Sequence, residues 1–225
     1  MINNISSLFV ILGLTMLFSC SESKTKNFDH HKSTIIQQEN QFIISAIDAT
    51  FPLKLDKINF SDESKIVQLN DRIISKIENT IKEYALDIEF YDSTLTYKDT
   101  YINTIRLHDS LQTIFLVLLK HPSSAINSKI LFYDNQRKEF SENTFDFNLH
   151  ALYKLKDKRF EPSNLKTGFK ITHPEIERLD FNEDGIKDYK FVRLWHNGTY
   201  NSLQTTILSV KQNRIDTLHF AEDLL

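Results

Sequence analysis

Residues 101–133 read YINTIRLHDSLQTIFLVLLKHPSSAINSKILFY, and three short runs within this stretch decide the fold class. The runs are rich in β-branched and aromatic residues, which favour extended backbone, and turn-forming residues separate them. Comparable runs recur towards the end of the chain at intervals typical of a β-meander. The predicted strands are Ile88–Tyr91, Tyr101–Leu107, Thr113–Leu119, Lys129–Tyr133, Asn148–Leu155, Ile176–Leu179, Tyr189–Trp195, Gln204–Val210 and Ile215–Phe220.

Hairpin turns are predicted at three places between these runs. Asp134–Arg137 (DNQR), Asn197–Gly198 and Lys211–Arg214 (KQNR) have the Asn, Asp and Gly residues that tight turns require. The chain contains four glycines, so each glycine in a turn is informative. We therefore expect mostly antiparallel pairing.

A long amphipathic helix is predicted before the β-rich region, from Asp62 to Ala85. Its apolar positions recur every three or four residues, and Ser61 or Asp62 can cap its start. The shorter apolar segment Gln41–Phe51 does not distinguish helix from strand. The expected fold class is α+β, a mostly antiparallel β meander that is propeller-like or sandwich-like, with one long N-terminal amphipathic helix. The apolar positions on one face of the predicted helix are Ile66, Leu69, Ile73, Ile77, Ile81 and Tyr84.

The N-terminal segment has the features of a lipoprotein signal peptide. Leu8–Phe18 (LFVILGLTMLF) is an apolar run that is long enough for a signal-peptide core and too short to span a bilayer. Leu17, Phe18, Ser19 and Cys20 follow, and this order resembles the lipobox of bacterial lipoproteins. Met1–Ser7 contains no Lys or Arg, which departs from the usual pattern. The alternative is a buried first strand of a cytosolic protein.

Cleavage before Cys20 would leave a lipid-anchored domain. The expected organisation is a signal peptide over 1–19, a lipidated Cys20 with a flexible tether over 20–33, and one β-rich domain over 34–225. Cys20 is the only cysteine, so no disulfide can form once it is acylated. Ser21 lacks the aspartate associated with inner-membrane retention, so lipoprotein sorting rules imply the outer membrane of the bacterial envelope.

Charge and motifs exclude several functions. The net charge is −3 and the basic residues are spread along the chain, so no nucleic-acid footprint is present. No serine-hydrolase elbow, zinc-protease motif or phosphate-binding glycine loop occurs. The adjacent His30 and His31 lie in the tether, and His150 and His196 are expected on strand surfaces. We therefore expect no enzyme activity.

One loop has the chemistry of a calcium site. Residues 180–188 read DFNEDGIKD, which places Asp180, Asn182, Asp184 and Asp188 at positions one, three, five and nine. Calcium takes six to eight oxygen ligands, and glycine at the sixth position permits the sharp turn that aims alternate side chains inward. Ile186 would add its backbone carbonyl. Phe191 stands where an EF-hand has its bidentate Glu, and a strand follows, so the loop is not an EF-hand.

The loop looks instead like the calcium loops of dockerins and of extracellular β-propeller repeats. Bound calcium would have a structural role, because it would neutralise carboxylates that otherwise repel one another. Export would place the loop where calcium is abundant. The alternative is an ordinary acidic hairpin between two strands.

Three segments together resemble a protein family. These segments are KILFYDNQRKEF (129–140), LDFNEDGIKDYKFVRL (179–194) and NGTY (197–200). In this order they resemble periplasmic β-propeller-like proteins that include calcium-binding inhibitors of invertebrate-type lysozymes. Such inhibitors present a Ser-Gly-x-Tyr loop to the enzyme. Here Asn197 replaces the serine, while Gly198 and Tyr200 remain; the alternative is a simple two-residue hairpin.

Three functions follow as hypotheses. The first is a non-catalytic, calcium-stabilised binding domain anchored in the envelope, with a protein partner that Asn197, Gly198 and Tyr200 would contact. The second is an envelope hydrolase, which a pocket holding an acid of raised pKa would favour. The third is a scaffold subunit of a membrane complex, which an exposed apolar stripe on the helix Asp62–Ala85 would favour.

Overall fold

A computed structural model of the chain describes residues 42–88, 96–122, 126–149, 153–156, 159–162, 174–196 and 198–225. Within these ranges the chain is mostly β, and the predicted antiparallel sheets are confirmed. The strands are β1 (Ser45–Ala49), β2 (Leu53–Lys54), β3 (Ile66–Gln68), β4 (Tyr101–His108), β5 (Gln112–Lys120), β6 (Ile126–Asp134), β7 (Glu139–Phe140), β8 (Phe145–Asp146), β9 (Tyr153–Lys156), β10 (Arg159–Pro162), β11 (Glu175–Leu179), β12 (Asp188–His196), β13 (Asn201–Lys211) and β14 (Arg214–Leu224).

The strands form one seven-stranded, one five-stranded and one two-stranded sheet. The first sheet runs β3-β1-β4-β5-β6-β7, with β8 also paired to β6, and β1 lies parallel to β4. The second sheet runs β14-β13-β12-β11-β2, and every pairing in it is antiparallel. The two-stranded sheet pairs β9 with β10.

Both faces of strand β5 are buried, so this strand lies between two hydrophobic clusters. Ile114, Leu116 and Leu118 point into a core that also contains Phe191 and Leu208 of the second sheet. The first two sheets therefore share one hydrophobic core. Phe115, Val117 and Leu119 point to the opposite face.

One α-helix occurs among the described residues, and the predicted boundaries of the helix are wrong. The helix α1 runs Asp71–Asp87, whereas residues 63–65 form a short 3-10 turn and Ile66–Gln68 form β3. Ile66 fits the helical period, but it pairs with Ile47 of β1, and this pairing overrides the local pattern. The cap is Asn70 rather than Ser61 or Asp62, since its side-chain oxygen accepts a hydrogen bond from the Ile73 N–H at 3.0 Å.

The apolar face of α1 packs against the first sheet. Ile73, Ile77, Ile81 and Tyr84 are buried against Phe115 and its neighbours on β5 and β6. Burial of this stripe explains why the predicted phase of the helix is right although its start is wrong. No helix among the described residues is long and apolar enough to cross a membrane.

Most of the other strand predictions that fall on described residues agree with the structure. Gln41–Phe51, which the sequence left open, contains the strand β1. Ile88 is the C-cap of α1 rather than the start of a strand, and the rest of Ile88–Tyr91 lies outside the described residues. The turn at Lys211–Arg214 joins β13 to β14, with Gln212 and Asn213 at φ values of 49° and 64°. Consecutive positive φ values are typical of the type I′ turn that suits a two-residue hairpin.

Candidate calcium loop and its surroundings

The loop 180–188 connects β11 to β12, which pair antiparallel up to Leu179 and Asp188. Two of its residues, Glu183 and Gly185, have φ values of 59° and 83°. A Cβ atom built on Gly185 would meet nothing within 4 Å, so glycine is favoured there by backbone conformation rather than by space. The predicted sharp turn at position six is therefore present.

Asp180 organises the loop through its carboxylate. Oδ1 accepts a hydrogen bond from the Asp184 N–H at 3.0 Å, and Oδ2 accepts one from the Gly185 N–H at 2.9 Å. These bonds draw the middle of the loop back towards its first residue. The loop is therefore curled, with hydrogen bonds between its first residue and its middle.

Asn182 and Asp184 contact each other inside this curl. Asn182 Nδ2 donates to Asp184 Oδ2 at 2.9 Å, and the Ile186 N–H donates to Asp184 Oδ1 at 2.9 Å. The Ile186 side chain is exposed. Hydrogen bonds thus link Asp184 both to Asp180 and to Asn182 within this loop.

A cation from another hairpin contacts this loop. Lys211, at the end of β13, places its Nζ against Asp184 Oδ2. The Lys211 side chain is foremost among the groups that hold the pKa of Asp184 below its ordinary value, and Asp184 in turn raises the pKa of Lys211. Asp188 and Asp180 also attract the ammonium group. Lys211 could not be predicted from the sequence of the loop, because nothing in the loop itself shows which distant side chain faces it.

Asp188 differs from the other acids of the loop because it is fully buried, with 0% of its surface exposed. Its Oδ2 accepts a hydrogen bond from the Phe181 N–H at 3.0 Å. Its Oδ1 has no hydrogen-bond partner among the described residues. A buried carboxylate oxygen without a partner is costly, so this oxygen is one that a cation could satisfy.

The donor set fits calcium in its chemistry. Asp180, Asn182, Asp184 and Asp188 offer hard oxygen atoms, and the Ile186 carbonyl belongs to the same loop. However, no group of three or more His, Cys, Asp or Glu side chains in the described parts of the chain is gathered closely enough to hold a metal ion. The carboxylates instead accept hydrogen bonds from backbone N–H groups and from Lys211, so ion binding would require them to turn towards a common centre.

A partly buried polar cluster connects the base of the loop to the first sheet. Arg178 Nη2 donates to the Lys187 carbonyl oxygen at 3.4 Å, and its guanidinium forms an ion pair with Asp109. The same guanidinium lies 5.1 Å from the Tyr189 ring centroid, and the Tyr189 hydroxyl donates to Gln112 Oε1 at 2.7 Å. Asp109 and Gln112 lie around the start of β5, so the ends of the loop are held by both sheets. No sequence motif pointed to this cluster.

The second predicted site lies at the opposite end of β12. Gly198 has a φ of 94°, and Tyr200 is 40% exposed with its ring centroid 6.3 Å from that of Trp195. The Tyr200 carbonyl oxygen lies 3.1 Å from His196 Nδ1. Asn197, like Cys20, the tether 20–33 and His150, lies outside the described residues.

A pair of acids on β11 has perturbed ionisation. The pKa of Glu175 is raised mainly because its carboxyl shares a hydrogen bond with Glu177, whose own pKa is lowered by that bond and by Lys190. Lys54 lies 3.6 Å from Glu175. Neither acid lines the cavity between Phe145 and Phe220 or the groove beside Lys54 and Lys57.

Comparison with protein-family models, curated proteins and solved structures finds no match.

Proposed function

We propose that this chain is a lipid-anchored protein of the bacterial envelope whose β-rich domain is a non-catalytic binding module stabilised by one calcium ion in the loop 180–188. The proposal rests chiefly on Asp188, a fully buried carboxylate with one oxygen that lacks a partner among the described residues. That oxygen lies at the end of a curled loop rich in other oxygen ligands. A bound divalent cation would satisfy it and would relieve the repulsion among the acids.

Calcium would act on stability rather than on chemistry. The loop joins two long strands and is tied to the first sheet through Arg178 and Asp109. An ion that binds only the folded state stabilises it by mass action, by about 2.7 kcal/mol at a concentration of 100 times its dissociation constant. The role is therefore that of a structural clamp.

The partner proposed for the module is a protein, with an invertebrate-type lysozyme as the first candidate. The exposed Tyr200 supports a contact role for the β12–β13 loop, because an aromatic ring supplies much contact area at low entropic cost. The proposed binding of a lysozyme also rests on the family resemblance, including the propeller-like fold that it implies. The lipid anchor on Cys20 rests on the sequence alone.

The two alternatives have weaker support. A docking helix would need an exposed apolar stripe, but the stripe of α1 is buried against the first sheet. A hydrolase would need an acid of raised pKa within a pocket, and Glu175 lines neither of the two cavities described among these residues.

Thermal unfolding of the full chain in detergent, with calcium chloride or with a chelator, tests the calcium clamp. Calcium should raise the unfolding midpoint of the wild type, and Asp184→Ala should abolish the rise. Glu183→Gln is the matched control, since it removes a negative charge from the same loop at a position that is not a ligand. An equal calcium response in the wild type and in Asp184→Ala would contradict the proposal.

A further inference from the structure

A cavity of about 260 Å³ lies between β8 and the face of the second sheet formed by β12, β13 and β14. It is separate from the calcium loop in its lining residues. Pockets for drug-sized ligands usually exceed 300 Å³, so this cavity suits a smaller molecule. Its lining residues are Phe145, Asp146, Phe147, Phe191, Arg193, Gln204, Thr206, Thr217 and Phe220.

The sheet side of the cavity is built from two adjacent cross-strand rows. The first row is Phe191, Thr206 and Phe220, paired across β12, β13 and β14. The second row pairs Arg193, Gln204 and Glu222 in the same way. Because residues two apart on a strand share a face, both rows point to the same side. A polar row therefore runs beside an apolar one.

An irregularity in β14 gives the cavity its edge. Ile207 pairs with His219 and Leu208 pairs with Thr217, so Leu218 is an extra residue in β14. This bulge reverses the alternation of β14, which places Thr217 on the same face as Phe220. A regular strand would put Leu218 there and would fill the space with an apolar side chain.

The apolar wall of the cavity consists of phenylalanine rings. Phe147 and Phe191 are buried, with ring centroids 5.4 Å apart, and Phe145 lies 4.9 Å from Phe191. Phe220, on the outer side, is 57% exposed. An exposed ring at the rim and buried rings at the floor form a surface against which a flat apolar ligand can pack.

Arg193 provides the charged group of the cavity. Its Nε donates to Gln204 Oε1 at 2.9 Å, and its Nη1 donates to the Asn148 carbonyl oxygen at 2.7 Å. None of its hydrogen bonds to the described residues uses Nη2. Burial lowers the pKa of Arg193, and this effect outweighs the attraction of Asp146 and Glu222. The guanidinium is thus oriented by two bonds and keeps a donor for a further partner.

The nearby carboxylates have their own partners. Asp146 forms an ion pair with Lys129 at 2.8 Å, and Glu222 accepts hydrogen bonds from Ser202 at 2.5 Å and from Gln204 at 3.2 Å. Among the described residues Arg193 has no direct ion pair. The two carboxylates nevertheless reduce the positive potential of the cavity, which favours a ligand with one negative charge over one with several.

We propose that this cavity binds a small monocarboxylic acid with an aromatic or other ring-bearing body. The ring would pack between Phe191 and Phe220, and the carboxylate would accept a hydrogen bond from Arg193 Nη2. Gln204 and Thr206 lie beside this position and can contact polar groups of the ligand. The site is independent of calcium, so its failure would leave the calcium clamp untouched.

Binding of 3-phenylpropionate to the full chain in detergent tests the site, with calorimetry as the measurement. The wild type should bind the acid at least about tenfold more tightly than the neutral 3-phenylpropanamide, the difference expected from one charge-assisted hydrogen bond. Arg193→Met should remove that preference. Equal binding of acid and amide by the wild type, or no binding of either, would overturn the proposal.

A pair of threonine variants tests the location of the site. Thr206→Phe should block binding because residue 206 lines the cavity, whereas Thr205→Phe, one residue earlier on the opposite face of β13, should not. If a variant does not fold, amide NMR of the wild type shows where the acid binds. Addition of the acid should shift the signals of Arg193, Thr206 and Phe220, and shifts confined to other parts of the chain would refute the location.

Discussion

The ammonium group of Lys211 contacts the Oδ2 oxygen of Asp184, although the two residues belong to different hairpins. Asp184 lies in the loop between β11 and β12, and Lys211 ends β13 beside the turn to β14. A side chain of the protein thus supplies positive charge at the oxygen where calcium is proposed to bind. Calcium and Lys211 would therefore compete.

Replacement of Lys211 by methionine should raise the calcium affinity severalfold, because no ammonium group then has to leave Asp184. In the presence of a chelator the same variant should unfold at a lower temperature, since repulsion among Asp180, Asp184 and Asp188 is no longer offset. Calcium titration followed by calorimetry measures the first effect, and thermal unfolding measures the second.

Lys187→Met is the matched control, because Lys187 lies in the same loop and its side chain makes none of the described contacts with Asp184. A calcium affinity of Lys211→Met equal to that of the wild type would show that the ammonium does not compete.

Asp188→Asn should have opposite effects with and without calcium. In chelator the unfolding midpoint should rise, since a neutral amide costs less to bury than a negative charge whose Oδ1 lacks a partner among the described residues. With calcium the variant should lose the stabilisation that the wild type gains. Thermal unfolding under both conditions measures the two effects, and a calcium-induced rise that persists in the variant would exclude Asp188 as a ligand.

The stability of the loop should depend on pH through Asp184. Its pKa in the folded protein lies below the ordinary value of 3.8, mainly because of the hydrogen bond from Lys211. The carboxylate therefore contributes stability that is fully present above pH 3.8 and is lost as the pH falls through the lower folded value. Asp184→Asn should flatten the acid limb of a plot of unfolding midpoint against pH in chelator. An acid limb identical to that of the wild type would contradict this.

The contribution of the Asn70 N-cap of α1 to stability can be tested without any ligand. Asn70→Ala removes the acceptor for the Ile73 N–H and should cost about 1 kcal/mol. For a domain of this size the unfolding midpoint should fall by about 2–4 °C. Asn70→Asp keeps an acceptor and should retain most of the stability, so an equal loss in both variants would show that the cap does not stabilise the helix.

The protein-binding role can be tested at Tyr200. Tyr200→Ala should abolish inhibition of an invertebrate-type lysozyme by the full chain without a large change in the unfolding midpoint, because the residue is 40% exposed. Tyr97, whose hydroxyl bonds to Glu78 at 2.5 Å on another part of the molecule, gives the control variant Tyr97→Phe. Lack of inhibition by the wild type would remove lysozyme as the partner while leaving the calcium clamp in place.

Features set by local spacing were predictable from the sequence. The phase of α1, the strands β4 to β6 and the curl of the 180–188 loop follow from periodicity and turn chemistry over a few residues. The start of α1 was not predictable, because Ile66 satisfies the helical period and only its pairing with Ile47 assigns it to a strand. Local pattern and long-range pairing conflict there, and the pairing prevails.

Features that depend on distant partners were not predictable. Lys211 faces Asp184 because two hairpins lie side by side. Thr217 lines the cavity beside Arg193 because one extra residue in β14 changes which of its side chains face that cavity. The parallel pairing of β1 with β4 has no local signal either, since a parallel neighbour is separated from its partner by a long crossover.

That parallel pairing has a mechanical consequence. β1 lies three residues after the described domain begins at Phe42, and it is hydrogen-bonded to β3 on one edge and to β4 on the other. Tension that enters from the N-terminal side therefore meets a strand held by two ladders at once. Among the described strands β14, at the other terminus, is held by a single ladder to β13. Under tension between the two ends of the domain, we therefore expect β14 to separate from its sheet before β1 does.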